Sequence, residues 1–499
     1  MLFNSVTYLF IFLPAAALLN WSLPERFRLW LILLASLLFY GFWRLEFVLL
    51  LLFSAALDYS LALWIERTHD QMRRRWIMLI SVAINVGILC IFKYLSFFCE
   101  NLRSIVSFWG YYPSCSDLHV ILPLGISFYI FATISYVIDV YRREFKAERN
   151  FVVYCCFVVF FPHLVAGPIL RAKCLIPQLR QPSDVNWNNI YAGSVRILNG
   201  LFLKLVLADT IAEFVDIGFA RDVNSLSAID CWTLAFLFGL QIYFDFAGYS
   251  HIAIGSARLF GIVLPENFNF PYFAKSPRDF WHRWHISLST WVRDYIYLSM
   301  LNKESVDNDP LRQERSANSE TLKRTVAAFR SRRTISLYVT WALMGLWHGA
   351  NWTFVLWGTY HAVLVHGHRL ADRIGWGRGT AIDWISRALT ITLIMAGWIP
   401  FRCQSTSAAL AMWGKMIDPR AYREFGLAPN SYFYLFAISI CMVTYWFCRD
   451  IIIHIWGRKT NVPFMELFVL PAQVLVYGII IMFDFVFLQS KNQFIYFQF

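Results

Sequence analysis

A ladder of apolar runs covers nearly the whole chain and constrains its fold more than any other feature. The opening MLFNSVTYLFIFLPAAALLNW is apolar from its first residues, and further runs follow at about 28–43, 47–65, 76–95, 118–140, 151–167, 192–217, 229–257, 336–347, 352–368, 383–401, 431–448 and 467–489. A helix needs roughly 20 apolar residues to cross a bilayer, and shorter runs suit re-entrant or interfacial segments. The pattern predicts an all-α polytopic membrane protein with about 11–13 membrane-embedded helices. Charged residues make up only 15% of the 499 residues and hydrophobic ones 58%. That balance excludes disorder and an ordinary soluble domain. Ten cysteines in this length are no disulfide scaffold.

The opening run has no basic region ahead of it and no small-residue cleavage site, so it reads as a retained first span. The net charge of +12 is what basic cytoplasmic loops produce and needs no nucleic acid. Arg26 and Arg28, Arg67 with Arg73–Arg75, and Arg142, Arg143, Lys146 and Arg149 follow alternate runs, with charge-poor stretches such as 97–117 between them. The alternation predicts cytoplasmic basic loops and an N-terminus outside. The basic loop 301–335 then lies in the cytoplasm, helical over 317–331, inside a single membrane-embedded domain spanning 1–499. Arg369, Arg373 and Arg378 place the far end of segment 336–365 on the same side. That segment must enter and return, turning near HGAN at 348–351, and its broken backbone must be buried or line a cavity. Cys99 and Cys115 share a predicted outside loop, where a pair and two free thiols are equally open. Cys155 and Cys156 read as packing residues.

Ionisable groups at membrane depth are rare and mark function. Four clusters carry them. In FFPHLVAGPILR (160–171), His163 sits between helix-breaking prolines and is either functional or a satisfied buried histidine. In QIYFDFAGYSHIAIG (241–255), Gln241, Asp245 and Tyr249 share a helical face. Asp245 needs a cation, Arg293 or Arg283, in a structural ion pair or as an orienter of a catalytic group. In SPRDFWHRWHISLSTWVRDYIYL (276–298), His282 and His285 stand three apart among interface-seeking tryptophans. Two histidines without a nearby carboxylate make a poor metal site, so none is expected. In LMGLWHGANWTFVLWGTYHAVL (343–364), His348 lies between Trp347 and Gly349, with Asn351 beyond and His361 on the return segment. A neutral histidine in an apolar cavity suits general-base chemistry near pH 7. These residues fit an intramembrane enzyme or a proton-coupled transporter. A transporter predicts inverted repeats, which the sequence lacks, and eleven scattered histidines do not make a di-iron oxidase.

Read together, WHISLSTWVRDYIYL (284–298) and GLWHGANWTFVLWG (345–358) closely resemble the membrane-bound O-acyltransferase family. The resembling branch is the bacterial alginate O-acetylation type, related to the D-alanyl-transfer proteins of teichoic acid. FFPHLVAGPILR, YFDFAGYS, ENFNFPYFAKSPRDFW (266–281) and FIYFQF (494–499) fit the same branch. His251 and His282 depart from it, standing where Asp and Arg are common in the family.

The resemblance implies a central, funnel-like cavity and no bound cofactor. It implies cytoplasmic acetyl-coenzyme A, or another acyl-CoA, as donor. The acceptor would be a cell-surface or exported polysaccharide, reached through a periplasmic or membrane-anchored acetyltransferase partner. It places the protein in the bacterial inner membrane. His348 is then the expected base, with His285 and His163 as further catalytic residues. Asp245, Arg283, Arg293, Asn351 and Trp347 are expected to contact substrate.

Overall fold

The computed structural model describes the chain except residues 112–120, 165–166, 182–185, 302–319, 375–379, 423, 458–462, 489–493 and 496–499, and the side chains of 320–329, 373–374, 380, 450–457 and 463–472. Cys115 and part of the expected basic loop lie outside the described residues. Cys99 is disulfide-bonded.

The described residues are helical, with no strand among them. The helices that matter here are α1 (Glu46–Arg67), α2 (Gln71–Leu89), α3 (Leu95–Val106), α4 (Ile126–Tyr141), α5 (Ala228–Leu259), α6 (Pro277–Arg283), α7 (Ile286–Val292), α8 (Glu320–His348), α9 (Trp352–Ile374), α10 (Thr380–Arg402) and α11 (Pro429–Gly457). Among the described residues five stretches are long and apolar enough to cross a membrane: Glu46–Arg67, Gln71–Trp109, Ala228–Leu259, Ala381–Arg402 and Pro429–Arg449.

Other apolar runs make shorter helices than their length suggests, for local reasons. The described part of the run at 118–140 becomes helical only at Ile126, after Pro123 and a left-handed Gly125 (φ 69°). The run at 151–167 is split into Phe151–Val159 and a short helix Phe161–Leu164 that contains Pro162. The first of these starts on Asn150, whose side chain accepts the Val152 and Val153 N–H groups. Among the described residues, π-helical turns lie between helices at Cys90–Tyr94, Phe202–Ala208 and Arg293–Tyr297. Single π turns inside α-helices are frequent at functional positions.

The chain forms two compact units, one of Met1–Val195 with Ala253–Ile391 and one of Arg196–Ile252 with Thr392–Ile495. In the first, α1 and α2 are joined by a buried polar clasp. Asp58 accepts from the Ser81 hydroxyl at 2.6 Å and from the Asn85 amide at 2.9 Å, and Ser54 donates to Asn85. Hydrogen bonds between helices are one of the few directed forces available where lipid is as apolar as leucine.

The same unit contains a helical hairpin. α8 ends at His348, residues 349–351 make the turn, and α9 starts at Trp352. The turn falls where the charge pattern predicts it. Glycine lets the two helices touch. A Cβ on Gly345 would collide with the Phe354 carbonyl, and one on Gly358 with the Trp341 carbonyl. Small residues at such crossings replace the missing hydrophobic drive with close packing.

The second unit holds a buried ionic triad. Lys204, in the π turn at Phe202–Ala208, lies 2.8 Å from Asp209 and 2.5 Å from Asp245. Asp245 also accepts the Ile495 N–H at 2.8 Å. The cation beside Asp245 is therefore Lys204, and the expectation of Arg293 or Arg283 is corrected. Arg293 pairs with Asp294 at 2.7 Å and Arg283 with Asp279 at 2.8 Å. Each arginine has a carboxylate within four residues of itself, so neither is left for a distant one.

Candidate active site

His348 is the last residue of α8, and the break that follows decides its surroundings. Its ring lies 4.7 Å from Trp347 and 4.9 Å from Trp357, edge-on to both. Trp357 also meets His361 at 4.9 Å. His361 is further enclosed by Trp281 at 5.0 Å and Trp341 at 5.6 Å. All four tryptophans and both histidines are buried. The sequence places His361 on the return segment and gives it no role. Helical spacing carries the signal, because Trp357 and His361 are four apart on one face of α9.

His285 reaches the same place from another part of the chain. It separates α6 from α7 and adopts a left-handed backbone (φ 41°, ψ 56°). Left-handed conformations are uncommon without glycine, and their strain collects at functional sites. This kink means that His282 and His285 do not share a helical face as their spacing suggests. Among the described residues no group of three His, Cys, Asp or Glu is placed to hold a metal ion. The His285 ring lies 6.4 Å from Trp347, which itself stacks on Phe131 at 5.4 Å. His285 and His348 thus meet around one indole.

Asn267, in the ENFNFP stretch, orients His285. Its Oδ1 accepts from the Ser287 N–H at 3.3 Å and the Ser287 hydroxyl at 2.9 Å, and it lies 3.1 Å from His285 Nδ1. A backbone N–H can only donate, so the Asn267 atom is the oxygen and His285 Nδ1 is the protonated nitrogen. The acceptor nitrogen is then Nε2, the one a general acid–base residue needs free of its proton. The main chain fixes the clip, with Ile286 N–H donating to the Asn267 carbonyl at 2.9 Å. Replacing Asn267 with alanine is expected to lower turnover about tenfold to a hundredfold, the equivalent of one buried hydrogen bond at roughly 1.5–3 kcal/mol. Comparing kcat of the purified variant with wild type checks this.

The third expected catalytic residue lies apart from this pair. His163 is buried, and Phe160 supplies its one ring contact among the described residues, at 6.1 Å. Its Nδ1 donates to the Phe160 carbonyl at 2.7 Å. Its segment still joins the site indirectly, since Ile169 N–H donates to the Ser287 hydroxyl at 2.9 Å. Asn351 uses its side-chain oxygen to accept the Thr353 N–H at the start of α9. Trp347 supplies the wall shared by His285 and His348. Asp245 belongs to the second unit, with Lys204.

Two adjoining cavities open beside the site. One, of about 280 Å³, is lined by Trp281, Trp341, Met344, Arg293 and other residues, and Met344 is one helical turn before His348. The other, of about 430 Å³, is lined by Arg330, His366 and Asp372 among others. Arg278, Arg333 and Arg369 line both. An apolar slot with a cationic mouth suits a molecule that is anionic at one end and apolar at the other. Arg283 lines neither cavity.

Buried histidines on a broken helical hairpin, beside such a slot, form the candidate site of an all-α membrane protein. The chain belongs to the membrane-bound O-acyltransferase family. The model of that family matches residues 142–309. A protein of Azotobacter vinelandii named "Probable alginate O-acetylase AlgI" is 37% identical over 422 residues, covering 84% of this chain and 78% of the relative. A peptidoglycan O-acetyltransferase of Helicobacter pylori is 32% identical over 453 residues, covering 84% and 80%. A teichoic acid D-alanyltransferase of Bacillus subtilis is 30% identical over 254 residues, covering 48% and 58%. The chain is an O-acyltransferase, and the transporter reading is set aside.

Proposed function

We propose that this protein moves an acetyl group from cytoplasmic acetyl-coenzyme A toward the hydroxyls of a cell-surface or exported polysaccharide, with His348 as general base. The observation that carries the reading is the position of His348: buried, at the tip of the hairpin, one turn beyond the wall of a cavity whose mouth is lined by arginines. The names of the relatives support the acceptor class, since they acylate alginate, peptidoglycan and teichoic acid.

In this reading the phosphates of coenzyme A rest at Arg278, Arg333 and Arg369, and the thioester arm runs along Trp281, Trp341 and Met344. His348 takes the proton of the incoming hydroxyl as it attacks the thioester carbon. The carbon–sulfur bond breaks, and the coenzyme leaves as a thiol after taking up a proton. His285, whose Nε2 is left as an acceptor by the bond from Nδ1 to Asn267, steadies His348. The inner membrane is the site of action, with basic loops in the cytoplasm and the N-terminus outside. A periplasmic or membrane-anchored transferase completes delivery.

The test is thioester cleavage by the purified protein in lipid vesicles, with radiolabelled acetyl-coenzyme A and a polysaccharide-bearing envelope extract as acceptor. Label transferred to the extract supports the reading; intact thioester in the presence of that extract overturns it. Arg333→Glu should raise KM for acetyl-coenzyme A by about tenfold or more, because a hydrogen bond to a charged group is worth roughly 1.5–3 kcal/mol. An unchanged KM removes the arginine mouth from donor binding.

A further inference from the structure

Lys93 is an ammonium where none is expected. It lies within the 39-residue apolar stretch Gln71–Trp109, in the π turn at Cys90–Tyr94 between α2 and α3. A lysine in a membrane span ordinarily extends toward the interface or finds an anionic partner. Lys93 does neither. Its Nζ donates to the Trp347 carbonyl at 2.5 Å and to the His348 carbonyl at 3.1 Å, and it stands 5.8 Å from the centre of the Trp347 ring. No carboxylate pairs with it among the described residues. The neighbouring Tyr94 hydroxyl donates to the Leu346 carbonyl at 2.8 Å.

Three successive carbonyls, those of Leu346, Trp347 and His348, are thus satisfied from one π turn. They are the carbonyls that α8 leaves unpaired by ending at His348. A π turn carries one more residue than an α-helical turn, which brings both Lys93 and Tyr94 to face the end of α8. The cation sits at the negative end of the α8 dipole, and its stem and charge also meet the indole that separates His348 from His285.

We propose that Lys93 is a positioning residue for acyl transfer: its ammonium clamps the α8 terminus and so holds His348 and Trp347 in register with the donor. The inference rests on the reading of His348 as base. The positive charge is the working part, because a neutral donor makes the same hydrogen bonds without the pull on the helix end.

The experiment compares Lys93→Met, Lys93→Gln, Lys93→Arg and His348→Ala with wild type, in vesicles, by kcat and KM for acetyl-coenzyme A and by thermal melting. Lys93→Met and Lys93→Gln should lose about tenfold to a hundredfold in kcat with KM nearly unchanged, and Lys93→Arg should recover most of it. Wild-type kcat in Lys93→Gln, with His348→Ala inactive, overturns the role of the charge and leaves the base reading standing. Equal losses in Gln and Arg variants, each with a lowered melting temperature, reduce Lys93 to packing and overturn it too. Full activity in His348→Ala overturns the base reading first and the inference with it. If Lys93→Met fails to insert, Lys93→Gln and Lys93→Arg carry the comparison alone.

Discussion

Replacing His348 with alanine is expected to lower acyl transfer by about 10²–10⁴-fold, the range a positioned general base supplies. The protein should still fold. The hairpin tip is held by main-chain carbonyls of residues 346–348 and by helix contacts at Gly345 and Gly358. None of these uses the imidazole. The substitution leaves a small void between Trp347 and Trp357, so a monodisperse variant with a near-normal melting temperature and no turnover is the expected result. A companion change separates side chain from backbone at the second histidine. His285→Asn keeps a residue that tolerates the left-handed conformation while deleting the imidazole. It should melt like wild type and turn over slowly. Turnover near wild type in His348→Ala would shift the base to His285 or His163.

Gly345→Val is expected to be the most damaging single change to the fold. The added Cβ would run into the Phe354 carbonyl. A backbone carbonyl inside α9 cannot step aside as a side chain can. Nor can Phe354 shift freely, because its ring lies where a Cβ on Gly349 would stand. Overpacking a core ordinarily costs about 1–3 kcal/mol, and a clash between two helix backbones belongs at or above the upper end. The variant should give little monodisperse protein and melt well below wild type. Gly367→Ala, in α9, is the control. Nothing lies within 4 Å of its added Cβ, so it should be neutral or slightly stabilising, alanine being the better helix former. A wild-type melting curve for Gly345→Val would show that the hairpin is looser than its geometry.

The hairpin was legible because two rules act on it at once. Charge on both flanks forces a return, and glycine beside histidine marks the break. The meeting of His285 with His348 was not legible from spacing, since 63 residues separate them and Trp347 is the common wall. The clip from Asn267 was hidden for a related reason, because a loop asparagine has no periodicity to betray it. The partner of Asp245 is not legible in the motifs, whose arginines already have carboxylates of their own. Lys204 sits inside an apolar run where its charge looks like an exception to be ignored. Lys93, inside the apolar run 76–95, is hidden for the same reason. A π turn underlies both cases: it re-aims a residue by about a third of a turn, and no hydrophobic pattern records that shift.

The length of α8 acts as a ruler. Helix without interruption runs from Glu320 to His348, and Arg333, at the cationic mouth, stands fifteen residues before the histidine. At 1.5 Å per residue that is about 22 Å. A donor anchored by its phosphates at Arg333 reaches His348 only if its acyl group rides at the end of a thin arm of that length. Short activated acyl compounds, such as an acyl phosphate, would be bound at the mouth and left stranded there. Selection among donors by reach would need no recognition of the acyl group at all.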